Sequence, residues 1–545
     1  MHLPRVGVLP ANQFSAHRRL LHLLGQLFSV EIVSGQAAGA ESCEAVLLFD
    51  SIRAEAVRLA RAGLHCLAYV KGQSLPRQSR SADLSLGPST HLVESFRGRT
   101  LFGTVMDRAY PLEVEPGDEV LARIDHDVLW LHRTEGTSEL HLVGIEPPAL
   151  PDKDYLFQYL QSDCWVKLLP ILNFLRIISG WEPPPVRACF MFDDPNLHWK
   201  GYGYIKYDLL AQHAREHHYH VSFAMVPLDA WFTHHRTAAL FRENKHLLSL
   251  LVHGNNHTHK ELAISYSEQR RCALVAQALM RIERFERVSG LEVSRVMAAP
   301  HHACTDEMAG TLVRMGFEAA CISRAFMMEN NGDKAWPDTI GLNPVDFLAG
   351  SLPVIPRFNF GLSSPRRILL AAFFGQAIVP VGHHEDLADG MDLLKRLADL
   401  INATGDVQWT DMMSIARSNF CSRRAGTVLR LKLFSRHIRL TVPADITEIC
   451  VERPWLKAHI AEALSWRQGQ SPVQTSPLYE AEPIPTNPGA DIEIRSIRPD
   501  FVDPRKLPLQ RTPLWVVGRR QLCEGRDRLK PAVDRLLSFR SKRNA

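Results

Sequence analysis

The chain carries no strong charge of either sign: its 545 residues hold 63 Lys and Arg against 59 Asp and Glu, a formal net charge of +4. So slight an excess over such a length leaves no footprint for a nucleic acid or an anionic membrane. Cysteine is sparse and has no pairing pattern. The ten cysteines are scattered, no C-x-x-C occurs, and several lie inside apolar runs such as ACFMF and AACI, the usage of reduced, buried thiols. Long clean apolar runs are missing too. LLPILNFLRII is broken by Asn173 and Arg176, and ILLAAFFGQAIVPVG by Gly375, Gln376 and Pro380, so neither supplies the ~20 residues of a membrane span. The start, MHLPRVGVLPANQF, lacks a basic region followed by an apolar run and a small-residue cleavage site, so the expected location is cytoplasmic. Its first apolar run leads into PANQF and not into a glycine-rich turn, which excludes the dinucleotide fingerprint and the phosphate loop. No repeat of fixed period is present.

What is there is an ordinary globular composition, 46% hydrophobic and 22% charged, long enough for three or four domains at ~150 residues each. Residues 1 to about 75 alternate apolar runs (RVGVL, VEIV, AVLLF, CLAYV) with helical patterns, which predicts a βαβ unit with a small parallel sheet. From about 90 to 146 the pattern becomes alternating strands, HLVESFRGRTLFG and LEVEPGDEVLARIDHDVLWLHR, a β extension of the same N-terminal α/β domain, 1–150. Residues 151–185 read as a connecting apolar helix, YLFQYLQSDCWVKLLPILNFLRIISG, between the Pro-rich joints EPPALPD and WEPPP.

From 186 to 415 strand-then-helix units recur: VRACFMF, YHVSFAMV, HLLSLLV, RVMAA, FEAACI, SLPVI, AIVPVG and VQW. Seven or eight such units predict a central, deformed βα barrel. Residues 421–545 read as a C-terminal β-rich module (TVLRLKLF, HIRLTVP, IEIRSI) around a Pro/Ser-rich stretch at 468–489, with a last helix near 525–538.

Polar residues gather where the barrel's strands end, and 15 of the 25 histidines fall between 186 and 410. FMF runs into Asp193 and Asp194; HLLSLLV ends in His253, Gly254, Asn255, Asn256 and His257; RVMAA ends in Pro300, His301 and His302. AACI ends in Ser323 and Arg324, PVIP in Arg357 and Asn359, AIVPVG in His383 and His384. That is the rim where a βα barrel keeps its active site. His253 and His257 with one of the two aspartates make a two-nitrogen, one-carboxylate set that holds Zn²⁺ and leaves positions open. The other aspartate is then placed to accept a proton from water, and a histidine of a distant strand to protonate a leaving group. The same ligand set also suits non-haem Fe(II). His217, His218, His220, His234 and His235, on helix and loop patterns, are expected to be solvated.

These residues resemble the polysaccharide deacetylase, or NodB-homology, family over about 186–415. The aspartate pair after a strand is matched by Phe192-Asp193-Asp194, and His, three residues, His by His253 to His257. An apolar residue, any residue and the acid histidine are matched by Val381-Gly382-His383. Of the family's Arg-x-Pro-Tyr only Pro300 is present, with Ala298 and His301 at the flanking positions, and Arg324 or Arg357 stands ready to supply the cation.

The resemblance implies Asp193 as base, Asp194, His253 and His257 as ligands of a divalent metal, zinc, and His383 as acid. The His301 N–H is assigned to an oxyanion. His384, followed by Glu385 and Asp386, is expected to be the partner of a surface carboxylate or the cap of the next helix. The activity implied is removal of an acetyl group from an N-acetylated carbohydrate, a glycan precursor if the setting is cytoplasmic. The alternative is a catalytically degenerate deacetylase fold serving as a carbohydrate-binding or scaffolding module.

Overall fold

The computed structural model describes residues 3–35, 43–71, 77–151, 154–456, 462–476, 483–508 and 510–543. Residue 152 of the EPPALPD joint and 477–482 of the Pro/Ser-rich stretch therefore lie outside the described residues. Two compact units are present: Met1–Glu182 with Ala335–Asn343, and Pro183–Lys334 with Pro344–Ala545.

The first unit is built on one nine-stranded sheet. Strands β1 (Arg5–Leu9), β2 (Glu31–Ser34), β3 (Ala45–Ser51) and β4 (His65–Val70) are parallel. Strands β5 (Arg77–Leu86), β6 (Thr100–Ala109), β7 (Glu119–Ile124), β8 (Asp127–Glu135) and β9 (Ser138–Val143) extend it, in the order β2-β1-β3-β4-β9-β8-β7-β5-β6. β9 joins β4 in parallel and the rest pair antiparallel, so the predicted extension shares its sheet with the βαβ part. Ala56, Leu59 and Ala60 of the helix Arg53–Arg61 pack with Val46, Leu48, Leu131 and Leu142 of the strands.

Three local expectations change. HLVES is not a strand but a turn leading into the short 3-10 helix Glu94–Phe96, because the buried side chain of Asn173 takes the Val93 N–H and donates to the His91 carbonyl. Those backbone groups are satisfied without a ladder. β5, a polar RQSRSADLSL, has no apolar alternation to announce it and is held by pairing with β6 and β7. The single apolar helix near 155–180 is three pieces, Leu156–Tyr159, Trp165–Leu168 and Leu169–Ser179, the last with Pro170 at its first turn and Gly180 in the left-handed conformation that closes it.

The second unit holds the strand-and-helix repeats. Its strands are β10 (Val186–Ala188), β11 (Phe190–Asp193), the hairpin β12 and β13 (Gly201–Tyr202, Ile205–Lys206), β14 (Val221–Met225), β15 (Leu248–His253), β16 (Val293–Ala298) and β17 (Ala319–Ile322). Then follow β18 (Asp346–Leu348), β19 (Leu352–Pro356), β20 (Phe358–Asn359), β21 (Pro380–Gly382) and β22 (Val407–Trp409). The main sheet runs β18-β19-β17-β16-β15-β14-β11-β21-β20, parallel throughout except for β18 on β19.

Its end strands, β18 and β20, do not pair with each other, so the deformed barrel expected from the sequence is a curled, open half-barrel of nine strands. VRACFMF is also split. β10 leaves the sheet to pair with β22, the Cys189 N–H turns to the Ile378 carbonyl, and the buried Arg187 is held by Ser418, Asn419 and the Gly375 carbonyl. A buried guanidinium demands such partners, and they all lie away from the main sheet's line.

The remaining strands, β23 (Phe420–Ala425), β24 (Val428–Leu433), β25 (His437–Thr441), β26 (Glu448–Glu452), β27 (Ala463–Gln468), β28 (Gln474–Ser476), β29 (Ile484–Pro485) and β30 (Asp491–Ile497), form two four-stranded sheets. They enclose a core of Leu431, Ile438, Ile449, Leu464, Ile484 and Ile494. The last helix is longer than predicted, Leu514–Arg543. No helix among the described residues is long and apolar enough to cross a membrane.

Candidate metal and catalytic site

Five strand ends of the half-barrel, those of β11, β15, β16, β19 and β21, deliver the site. β11 is fixed by Phe192, whose ring packs on Phe223 and Phe360, and it places Asp193 as its last residue. Asp194 then turns away with φ of 82° while its N–H reaches the Ala224 carbonyl at 3.2 Å. β15 ends in the buried His253 and is followed by a turn in which Gly254 and His257 both have positive φ. Non-glycine residues in this region are strained and persist only where their surroundings over-determine them.

The turns bring the predicted ligands together. One donor atom each from Asp194, His253 and His257 lies within 4.8 Å of the others, with His257 Nε2 at 3.2 Å from Asp194 Oδ1. His253 Nδ1 donates to the Ala298 carbonyl at 2.9 Å, which fixes the tautomer and leaves Nε2 for a ligand. Burial pushes the His257 imidazole down to about 3 against the pull of Asp194, so it stays neutral, the form that binds a metal. Burial would raise the Asp194 carboxyl, but His257 and then Arg520 hold it well below the usual carboxylate range. Two imidazoles and an ionised carboxylate fit a divalent metal of the zinc class.

The histidine-bearing turn rests on a buried carboxylate. Glu261 accepts the N–H groups of Asn255, Asn256 and His257 at 2.6, 3.0 and 3.0 Å, and Arg281 donates to the Asn256 side chain at 2.9 Å. Gly254 is required here twice over. Its φ is 61°, and a Cβ would fall 2.1 Å from Glu261 Oε1 and 2.6 Å from Pro300. Gly254→Ala is expected to weaken metal binding 10- to 100-fold, the scale of losing a ligand's support. A zinc titration checks this, and wild-type affinity would show that the turn is not held through Glu261.

Asp193 has its own cation. Arg357 Nη1 lies 2.8 and 2.9 Å from the two carboxylate oxygens, Nη2 donates to the Ala299 carbonyl at 3.0 Å, and Nε to His302 Nδ1 at 3.2 Å. Burial would raise the Asp193 carboxyl, but Arg357, with His253 and His383, brings it down to about 2. Of the two arginines named as replacements for the missing one, Arg357 is the one at the site, whereas Arg324 pairs with Asp346 at 3.0 Å. His302, given no role by sequence, is the imidazole behind Arg357 and stacks on Phe326.

His383 is 57% exposed in its side chain, with Nε2 3.9 Å from Asp194 Oδ2. Its N–H donates to Asp386 at 2.8 Å, so it also opens the short 3-10 helix His384–Leu387. His384 is buried among Tyr202, Tyr204 and Asp527, and its Nε2 lies 3.5 Å from the exposed Glu385, the surface carboxylate expected as its partner. Gly203 makes room for it, since a Cβ there would fall 2.4 Å from the ring. His301 is exposed, with its ring 5.2 Å from that of His257 and 5.0 Å from that of His259. Among the outlying histidines, His220 is not solvated: it is buried between the His246 carbonyl and Ser249.

The part that sequence reasoning missed is the cover. The C-terminal helix Leu514–Arg543 lies over the site through Arg520, which is buried and donates to Asp194 Oδ1 at 3.2 Å, to the Asp194 carbonyl at 2.9 Å and to Asp229 at 2.7 Å. Arg519 donates to the His257 carbonyl. Glu524 bonds His198 at 3.1 Å, and Tyr202 donates to Asp527 at 2.7 Å. The helix thus turns Arg520, Glu524 and Asp527 inward and Trp515, Leu522 and Leu529 outward. A charged stripe at 4- and 3-residue spacing ordinarily reads as a solvated face. The available signal was the Leu and Trp stripe at seven-residue spacing opposite it.

No known family profile matches the chain, and no curated protein does. Among solved structures it is similar to a proposed polysaccharide deacetylase from Mycobacterium smegmatis, at 17% identity over 43% of this chain and 90% of that one, with a TM-score of 0.30. It is also similar to a family 4 carbohydrate esterase from Streptomyces lividans in complex with acetate, at 12% identity over 43% and 95%, TM-score 0.26. A third is a family 4 pseudoenzyme from Bacillus anthracis, at 11% identity over 42% and 64%, TM-score 0.24. Each of these three matches spans less than half of this chain.

Proposed function

We propose that this protein is a metal-dependent amide hydrolase that removes the acetyl group from an N-acetylated sugar. The observation that carries it is a division of labour between adjacent carboxylates. Asp194 converges with His253 and His257, while Asp193 is held apart from them by the buried Arg357. A zinc-class ion on the first group, when bound, supplies Lewis-acid polarisation of a carbonyl and acidification of water. Asp193, ionised throughout the working pH range, accepts the proton of the attacking water. Arg357 aims that carboxylate and keeps it from sharing a proton with Asp194. The His301 N–H is assigned to the developing oxyanion. His383, on the exposed rim, donates to the departing amine. A cytoplasmic setting makes a nucleotide-linked, lipid-linked or other glycan precursor the substrate class.

One observation favours the second reading. Arg520 brings a cation of the chain's own to Asp194, as a carbohydrate-binding or scaffolding module without a metal would require. Metal analysis of the purified full chain separates the two: one equivalent lost on His253→Ala supports the hydrolase, and a metal content unchanged by that substitution supports the module. His383→Ala is expected to lower kcat strongly on an unactivated N-acetyl substrate, and much less on an activated aryl amide whose leaving group needs no proton. Equal losses on both would remove His383 from the acid role.

A further inference from the structure

A second cluster of metal-capable groups lies in the N-terminal unit and takes no part in the proposed hydrolysis. Glu119 of β7 stands opposite His132 of β8, and His132 opposite His141 of β9. Glu139, two residues before His141, shares that face of the sheet. His91 arrives from the segment before the 3-10 helix Glu94–Phe96 and lays its imidazole on that of His132, with ring centroids 3.5 Å apart and planes at 17°.

Both rings converge on one oxygen. His91 Nδ1 is 3.1 Å from Glu139 Oε2, and His132 Nε2 contacts the same atom. The donor atoms of His91, His132 and Glu139 all lie within 4.8 Å of one another. His91 Nε2, its other nitrogen, faces the Glu119 carboxylate at 3.8 Å, an ion-pair distance beyond hydrogen-bond reach.

The site is built rather than accidental. The His91 carbonyl and the Val93 N–H are both clamped by the buried amide of Asn173, at 3.0 and 2.8 Å, and the start of β9 is pinned by the Glu139 N–H donating to His65 Nδ1 at 3.1 Å. Trp130 Nε1 donates to His141 Nδ1 at 3.3 Å, fixing the ring beside the cluster. Two imidazoles sharing a carboxylate, on a rigid sheet and a clamped loop, form a donor set suited to a borderline divalent cation.

We infer that the N-terminal unit binds a divalent cation of the zinc class through His91, His132 and Glu139, beside the carboxylate of Glu119. The cation ties the segment around His91 to the face of the sheet. This does not rest on the hydrolase reading.

The test uses the full chain and Zn²⁺ alone as probe, in a His253→Ala/His257→Ala background that removes the half-barrel ligands. Equilibrium dialysis with metal analysis is expected to find one equivalent in that background. Adding His91→Ala, on the loop, should reduce it to none, and adding Glu139→Gln, which keeps the shape, should weaken it at least tenfold. Zn²⁺ is also expected to raise the melting temperature of the background protein, but not of the His91→Ala protein with an unchanged circular dichroism spectrum. No zinc in the background protein, or zinc kept by both added substitutions, overturns the inference whatever the hydrolase assay shows.

Discussion

Asp193→Asn is expected to keep its metal and lose hydrolysis, with kcat down by about 10²- to 10⁴-fold, the contribution of a positioned general base. The amide preserves the size of the carboxylate and one acceptor oxygen for Arg357, so the backbone turn at Asp194 and the ligand set are left in place. What it cannot do is accept the proton of water. Paired measurements of metal content and turnover decide the matter. If the variant instead loses its metal while Asp194→Asn remains active, the roles of the two aspartates are exchanged.

Arg357→Met is the most damaging single change foreseen to the fold of the half-barrel. It leaves the buried Asp193 charge without its cation, and breaking a buried pair in this way costs about 3–5 kcal/mol. The pair also makes stability depend on pH with a definite sign. The Asp193 carboxyl is brought from 3.8 to about 2 in the fold, so its contribution is fully present above the unfolded value and is lost as pH falls through about 2. Without Arg357 the foremost influence opposing burial is gone and the carboxyl rises, so the acid limb of kcat/KM moves to higher pH. Denaturant titrations of Arg357→Met, Asp193→Asn and the double variant give the coupling. The double variant is expected to recover part of the loss, since it no longer buries an unpaired charge. Additive effects with an unmoved acid limb would show that Arg357 does not hold the base.

The residues that can be read from sequence are those that follow an apolar run directly. Asp193 and His253 are the last residues of buried strands and Asp194 sits one step past, where the end of the apolar run also marks the end of the strand. Val381-Gly382-His383 is legible for the same reason, and the order of the strand-and-helix units gives most of the parallel sheet. Arg357 is 164 residues from Asp193, and only the curl of the sheet brings β19 across to β11, so spacing offers two arginines and no way to choose.

Whether the sheet closes depends on the edge strands β18 and β20, three and two residues long, too short to carry a pattern. Glu261 is hidden because its acceptor role is filled by backbone N–H groups, which leave no trace in side-chain type. The C-terminal helix is misread for the opposite reason: its charged stripe is plain in sequence but belongs to the interior, where Arg520 finds Asp194 and Asp229.

Acetate release tests the hydrolase account most directly. The full chain, with its metal sites saturated with Zn²⁺, is incubated with a panel of N-acetylated sugars in oligomeric and nucleotide-linked form, beside chelator-treated protein and Asp193→Asn. The account predicts acetate from at least one member of the panel, lost with the chelator, restored by Zn²⁺ and absent with Asp193→Asn. No acetate from any member, with metal present in full at Asp194, His253 and His257, would contradict it and leave the half-barrel a binding module.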